Sequence, residues 1–253
     1  MARLEVSTLE GVPEVRPGDS LTAIIVQAMA ASGLAFADGD VVALAQKIVS
    51  KAENRFVRLA DVTPSARALD YAQQTGKDAR LVEVMLQESR EVLRVRPGLI
   101  VVEDRRGLVL ANAGIDASNV PGSDQEIVLL LPVDPDASAA RLRAELEETS
   151  GKQLAVVILD SIGRAWRTGT VGTAIGSAGL PALLDLRGQP DRVGRTLMAT
   201  VVGLADEVAA AASLMIGQAA EGTPVALLRG VPYARGEGRA ADIQRPKDTD
   251  MFR

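Results

Sequence analysis

The chain of 253 residues is 47% hydrophobic but only 2% aromatic, so its core must consist mainly of Val, Leu, Ile and Ala. Its net charge is −5 and it has no run of basic residues, which argues against a nucleic-acid-binding surface. It contains neither cysteine nor histidine, which excludes disulfides, thiol nucleophiles, a histidine base and metal sites built on either residue. Any bound metal must therefore be held by oxygen atoms, which favours Mg²⁺ or Mn²⁺.

The sequence carries no recognisable targeting or membrane signal. The first ten residues include the charged Arg3 and Glu5 and no apolar run, so no signal peptide is predicted. No stretch approaches about 18 uninterrupted apolar residues, the length that a membrane-spanning helix requires. We therefore expect a soluble, cytoplasmic protein that forms a single domain over residues 1–253.

The first half of the chain predicts a mixture of strands and helices. A strand opens it, and Asp19 or Ser20 then caps a helix that Gly33 ends. The apolar run Val41–Ala45 predicts a buried strand. Two helices and then two strands joined by a hairpin turn are predicted next, at residues 65–74, 78–89, 99–103 and 107–111.

The second half continues in the same way, with a gap. A strand, a helix, a strand, a helix and a last strand are predicted at residues 127–131, 138–149, 154–159, 200–217 and 225–231. The third of these places Asp160 directly after its last residue, and the Gly-rich segment 163–194 remains unassigned. Because the order is not strictly βαβ, we predict an α+β fold with mixed or antiparallel sheets and flanking helices. No P-loop or Rossmann glycine motif is present.

The first candidate site lies in the segment 112–119. A predicted strand runs into a turn containing Gly114, which presents Asp116, Ser118 and Asn119 together. An aspartate supplies an anionic oxygen for a divalent cation, and Ser and Asn side chains suit a phosphate or a base. A local Asx turn explains the same residues, so this segment alone leaves both interpretations open.

The second candidate site follows a buried strand. Asp160 and Ser161 would present a carboxylate and a hydroxyl at one point, and Arg164 and Arg167 suit a polyphosphate or a carboxylate substrate. The only tryptophan, Trp166, lies between the two arginines. In the alternative interpretation Asp160 caps a turn, Trp166 anchors the core and the arginines are surface charges.

The third candidate site directly follows the strand Val41–Ala45. Gln46 and Lys47 begin the segment, and Ser50 and Lys51 end it. The two lysines would neutralise phosphates, with Ser50 as a hydrogen-bonding partner. Lysines on the surface after a strand are also common in proteins without such a site, so the segment alone is not decisive.

A fourth pair of candidates is Asp206 and Glu207, at the start of the helix that is rich in small residues. Carboxylates are favoured in a first helical turn because they interact with the helix dipole, and this explanation is sufficient by itself. Glu207 is nevertheless a candidate metal ligand.

Taken together, these segments resemble the coenzyme F420-0:γ-glutamyl ligases. The matching segments occur in the order and approximate spacing of that family, at residues 45–53, 112–120, 160–169 and 206–207. Shorter matches are found at residues 174–176, 194–195 and 250–253, so that the resemblance runs from about Leu9 to the last residue. One departure is Ala165, where the family pattern leads us to expect proline, and it bears on the rigidity of the loop.

The resemblance implies a fold peculiar to this family, an intertwined homodimer, and GTP with Mg²⁺ or Mn²⁺ as the source of energy. It implies a set of metal ligands at Asp116, Asp160, Ser161 and Glu207. The residues expected to be catalytic are Asp116, Asp160 and Arg164. Contacts with GTP are implied for Gly11, Val12, Pro13, Glu14, Gln46, Lys47, Ser50, Lys51 and Asn119.

The implied reaction is a ligation that adds L-glutamate to coenzyme F420-0 through an acyl phosphate. Phosphoryl transfer depends on cations more than on a covalent nucleophile, so the absence of histidine is compatible with it. One alternative is a different metal-dependent phosphoryl-transfer enzyme or phosphohydrolase that uses the same aspartates. The other is a non-catalytic protein that binds a nucleotide or a deazaflavin.

Overall fold

The computed structural model describes residues 3–116 and 126–251. The α-helices are α1 (Leu21–Ala31), α2 (Gln46–Ala52), α3 (Ala66–Thr75), α4 (Ala79–Gln87), α5 (Pro135–Ser150) and α6 (Leu204–Ile216). The strands are β1 (Glu5–Thr8), β2 (Val41–Ala45), β3 (Phe56–Arg58), β4 (Ser89–Arg96), β5 (Leu99–Asp104), β6 (Val109–Ala111), β7 (Ile127–Leu129), β8 (Ala155–Gly163), β9 (Thr170–Ala178), β10 (Leu184–Asp185), β11 (Val201–Val202) and β12 (Val225–Arg229). The α+β class predicted from the sequence is confirmed.

A five-stranded mixed sheet forms the centre of the molecule, in the order β1-β12-β2-β8-β9. Only β2 and β8 are parallel, and the other neighbouring pairs are antiparallel. The two parallel strands are covered on both faces, which explains why their sequences are nearly continuous apolar runs. Three smaller sheets accompany it: β3 with β7, β10 with β11, and β4-β5-β6.

The faces of the central sheet form two separate apolar clusters. Val42 and Leu44 of β2 face one side, where α1, α2 and α5 pack, and Val41 and Ala43 face the other. Helix α6 covers this second side with its small residues, among them Ala209. This alternation is what the two-residue period of a strand produces when both faces are buried.

Helix ends coincide with capping residues that are visible in the sequence. The side chains of Ser20, Ser65 and Asp134 accept hydrogen bonds from backbone N–H groups in the first turns of α1, α3 and α5. Gly76 and Gly151 end α3 and α5 in the left-handed conformation. Helix α5 begins three residues earlier than predicted, because Asp134 is its cap.

A second group of elements packs beside the central sheet. Helices α3 and α4 cover the β4-β5-β6 sheet through Val82 and Met85 of α4 and Ile100 of β5. The turn after β5 is joined to the chain before α5 by Arg106, whose guanidinium donates to the carbonyl oxygens of Leu131 and Pro132 at 3.1 and 2.6 Å. The same guanidinium forms ion pairs with Asp104 and Glu88, each at 2.9 Å.

One expectation about the strands was wrong, and a further strand carries no clear signal in the sequence. Strand β8 does not stop before Asp160 but continues to Gly163, because it pairs with β9 as a long hairpin. Strand β4, which was not predicted, has mostly exposed or half-exposed residues and therefore lacks a buried apolar run. The unassigned segment 163–194 contains β9 and β10.

The C-terminal segment is attached to the rest of the chain at several points, among them the first turn of α5 and strand β5. The backbone N–H groups of Ala240 and Ala241 donate to the carboxylate of Asp136 in the first turn of α5. The ammonium group of Lys247 lies 2.6 Å from Glu103, a buried carboxylate of β5. The rest of the same chain therefore supplies a surface against which this polar tail lies. No helix within the described ranges has the length and apolarity needed to cross a bilayer.

The packing of α6 on β9 provides a test of the fold. A β-carbon at Gly172 would overlap the β-carbon of Ser213 and the carbonyl oxygen of Ala209 in α6. We expect Gly172→Ala to lower the free energy of unfolding by about 1–3 kcal/mol, the usual cost of overpacking. Gly163→Ala is the matched control, because nothing lies within 4 Å of the corresponding position. Equal denaturation midpoints for the two variants would contradict this account of the packing.

Candidate active site

A large cleft opens at the edge of the sheet where β2 ends, beside the last residues of β8. Its volume is about 860 Å³, within the range of small-molecule sites. Three stretches of chain contribute most of its lining: the loop after β1, helix α2, and the turn between α6 and β12. Its polar lining residues include Glu14, Gln46, Lys47, Lys51, Asp116, Asp160, Ser161, Thr170, Gln218, Glu221 and Thr223.

The parallel pairing of β2 with β8 brings two of the candidate segments together. Ala45 at the end of β2 is in register with Leu159 of β8. The residues that follow, Gln46 and Lys47 on one strand and Asp160 on the other, are therefore adjacent at the same edge. Two motifs that are more than a hundred residues apart in the sequence become neighbours for this reason.

Asp116 reaches the cleft from a separate part of the chain. Its backbone N–H and carbonyl groups both form hydrogen bonds with the backbone of Leu129. This isolated bridge places Asp116 against the edge of β7. Its carboxylate lies 2.6 Å from the ammonium group of Lys47. This ion pair is only partly exposed and connects the second group of elements to the start of α2.

Asp160 is an acid of the cleft whose pKa is raised. Burial raises the pKa of its carboxyl, and the negative charge of Asp116 raises it further. A hydrogen bond from the backbone N–H of Ser161 and the positive charge of Lys47 act in the opposite direction. The negative charges of Asp116 and Asp160 repel each other, and Lys47 supplies one positive charge beside them. The site therefore favours the binding of additional positive charge.

The oxygen atoms of this part of the cleft are of the kind that bind a divalent cation. No cluster of three or more acidic side chains that could hold a metal occurs in the described part of the chain. A cation here would be held by the carboxylates of Asp116 and Asp160, with neutral oxygens from Ser161 and Gln218, whose side chains are hydrogen-bonded to each other at 2.5 Å. One or two carboxylates completed by neutral or phosphate oxygens is a donor set typical of Mg²⁺.

Helix α2, which carries both lysines, contains a buried hydrogen bond between two of its own side chains. The hydroxyl of Ser50, which has no exposed surface, donates to the Gln46 side chain at 2.8 Å. Lys51 is 5% exposed, and its ammonium group lies 2.6 Å from the carboxylate of Glu14. Since the Glu14 side chain is more than half exposed, this carboxylate lies at the solvent side of the pair.

Several residues predicted for the site do not line the cleft. Ser50 supports Gln46 from within the protein, and Gly11 precedes the lining residues Val12, Pro13 and Glu14 in a left-handed turn. Arg164 is exposed in the turn after β8. Asn119, together with Ser118, lies outside the described residues.

The metal-ligand assignment of Glu207 does not agree with its position. It is exposed in the first turn of α6, whereas the cleft is lined by Ile216 at the other end of this helix. Nine residues of helix separate the two, or about 13 Å along the axis. The neighbouring Asp206 also has a structural contact: its carboxylate accepts a hydrogen bond from the N–H of Ala174, at the irregularity in the β8–β9 pairing.

The turn between α6 and β12 belongs to the cleft but carries no motif that predicts this. Residues 216–224 line the cleft, and Gln218 among them contacts Ser161. The carbonyl oxygen of Pro224 accepts a hydrogen bond from the N–H of Ala45, which fixes this turn at the end of β2. Gly217 and Gly222 mark the segment as a turn, but only the pairing of β12 with β2 shows where that turn lies.

Comparison with known proteins gives the same family as the sequence motifs. The family model of F420-0:gamma-glutamyl ligase matches residues 11–230. The chain belongs to this family. It is 46% identical over 247 residues to the coenzyme F420:L-glutamate ligase of Methanothermobacter thermautotrophicus, with 97% of each chain covered. It is 44% identical to the ligase of the same name from Methanopyrus kandleri over the whole of both chains, and 43% identical to that of Archaeoglobus fulgidus.

Proposed function

We propose that this protein is a coenzyme F420-0:L-glutamate ligase that uses GTP and a divalent metal. The observation that carries the proposal is membership of the family over residues 11–230, in a chain whose cleft combines paired carboxylates with two lysines. Paired carboxylates and lysines are the groups that a polyphosphate bound with a cation requires. The substrates proposed are GTP, coenzyme F420-0 and L-glutamate.

The nucleotide is proposed to bind between the loop after β1 and helix α2. Val12, Pro13 and Glu14 line one side of the cleft there, and Lys47 and Lys51 line the other. Both lysines are paired with carboxylates, so the phosphates of GTP would compete with Asp116 and Glu14 for them. Asn119 stays part of the proposed nucleotide site on the strength of the sequence resemblance.

Mg²⁺ or Mn²⁺ is proposed at Asp116, Asp160 and Ser161, with Gln218 in place of Glu207. When bound, such an ion neutralises the charge that develops on the transferred phosphoryl group. The protein keeps the two carboxylates in place through the Asp116–Leu129 bridge and the β2–β8 pairing. This arrangement is consistent with a site that is assembled before the ligand arrives.

The proposed reaction has two steps. The terminal carboxylate of coenzyme F420-0 attacks the γ-phosphorus of GTP, which releases GDP and forms an acyl phosphate. The α-amine of L-glutamate then attacks the acyl carbon, loses a proton and displaces inorganic phosphate, which leaves an amide. Lys47 and Lys51 would hold the phosphates in line with the attacking carboxylate.

The reaction is tested by mass spectrometry of coenzyme F420-0 after incubation with the protein, GTP, Mg²⁺ or Mn²⁺, and L-glutamate. We expect the mass to increase by glutamate residues and GDP to form in equal amount. Removal of metal by exhaustive chelation should abolish product, and added Mg²⁺ or Mn²⁺ should restore it. Release of phosphate that does not depend on glutamate would identify a phosphohydrolase instead, and full activity after chelation would exclude the metal.

The role of the two carboxylates is tested by Asp116→Asn and Asp160→Asn. Each substitution keeps the size of the side chain and removes one negative charge from the cleft. We expect kcat to fall about a hundredfold or more, which corresponds to roughly 3 kcal/mol of lost transition-state stabilisation. Asp70→Asn is the control, because Asp70 is exposed on α3. Unchanged turnover, or a fall explained entirely by a lower melting temperature, would contradict the assignment.

A homodimer is also proposed, because the family resemblance implies one and the chain has apolar side chains on its surface. Leu214 at the end of α6 is 83% exposed, and Met198 and Val193 are 80% and 75% exposed. Burying side chains of this kind between two subunits would remove apolar surface from water. A symmetric dimer is the most frequent assembly of identical chains.

Assembly is tested by sedimentation equilibrium at low micromolar concentration. We expect a mass of twice 26.5 kDa for the native chain and a shift toward monomer for Leu214→Glu, since a charge in the interface costs binding energy. Leu69→Glu is the matched control, because Leu69 is another exposed leucine on a helix. A folded, active native chain at the mass of one subunit would refute the dimer.

A further inference from the structure

The only tryptophan of the chain is not in the core. Trp166 is 87% exposed, which corrects the interpretation of this residue as a core anchor. Its φ of 64° places it in the left-handed region, which residues other than glycine rarely occupy. An aromatic residue that is both exposed and strained contributes little to stability, and such a combination is typical of a functional position.

Trp166 lies at the end of the same hairpin that carries the carboxylate site. Strands β8 and β9 pair from Val156 to Gly163, and the turn between them consists of residues 164–169. Thr170, which is paired with Gly163 at the base of this turn, lines the cleft, as do Asp160 and Ser161. The turn therefore begins at the rim of the cleft. Strands rise about 3.3 Å per residue, so Gly163 is about 10 Å from Asp160 along β8.

A basic residue lies within two positions of Trp166 on each side, Arg164 before it and Arg167 after it. Arg164 and Arg167 are exposed, and neither side chain has an ion pair within residues 3–116 and 126–251. Some other exposed arginines, such as Arg187, are paired with a neighbouring carboxylate. The turn thus combines an exposed aromatic surface with two positive charges that have no acidic partner in the described structure.

We infer that Trp166 is a positioning residue that stacks on the aromatic ring of the carboxylate substrate, with Arg164 and Arg167 attracting its anionic part. This inference rests on the proposed function, in which that substrate carries a deazaflavin ring. The carboxylate end would enter the cleft beside Asp160 while the ring stays at the rim, about 10 Å or more away. Stacking on an exposed aromatic side chain is an established way of holding a flat ring system.

Because Trp166 is the only tryptophan, the intrinsic fluorescence of the whole protein measures this one position. The native chain is titrated with coenzyme F420-0 and, separately, with a deazaflavin that lacks the carboxylate-bearing arm. We expect both ligands to quench the emission in a saturable manner, since both contain the ring. L-glutamate and GTP alone should leave it unchanged. Absence of saturable quenching by coenzyme F420-0 would overturn the inference.

Kinetics of Trp166→Ala and Trp166→Phe provide the second test. We expect the alanine variant to raise the KM for coenzyme F420-0 by about tenfold or more, a size typical of losing one stacked ring. The KM for GTP and the kcat at saturation should change little, and the phenylalanine variant should recover most of the loss. Leu69→Ala is the control, because it removes an exposed apolar side chain from α3 without touching the hairpin.

The outcomes separate this inference from the proposed function. A native chain that ligates glutamate, with an unchanged KM in Trp166→Ala, refutes the stacking role and leaves the function standing. A native chain that does not ligate but shows saturable quenching by both ligands refutes the function and keeps the ring-binding surface. Conversion of Trp166→Ala to monomer in sedimentation would assign this residue to a subunit interface, and that result overturns the inference.

Discussion

The parallel pairing of β2 with β8 is the constraint on which the cleft depends. Because the two strands run in the same direction and end together, whatever follows each of them is brought to one edge of the sheet. The antiparallel strands that flank this pair, β12 beside β2 and β9 beside β8, bring further residues to the same edge. Strand β12 begins where β2 ends, so the turn containing Gln218 is fixed there, and β9 returns along β8 to place Thr170 beside the same edge.

Buried polar contacts then determine where the side chains can lie. Ser50 holds Gln46 from beneath, and Asp206 satisfies a backbone N–H group at the irregularity in β9. Neither residue needs to touch a ligand to matter, because buried polar groups that lose their partners are costly. Ser50 occurs in the same sequence segment as residues that line the cleft, and a motif alone does not separate the two roles.

The sequence predicted most of the regular elements but only part of the site. Strand β2 and the helices capped by Ser20 and Asp78 are found where the apolar pattern and the caps place them, because both signals are local. The β8–β9 hairpin was missed because its second strand is rich in glycine and small residues. Gln218 has no local signal at all: it belongs to the cleft only through the order of strands in the sheet.

The C-terminal tail makes distant parts of the molecule depend on one another. Its contacts with Asp136 and with Glu103 lie in different layers, one at the first turn of α5 and one on β5. Single contacts at partly exposed positions are weak, but here they share a short segment, so that each raises the effective concentration of the other. The tail thus behaves as a tethered multidentate ligand of its own fold, and losing one of these attachments would weaken the other.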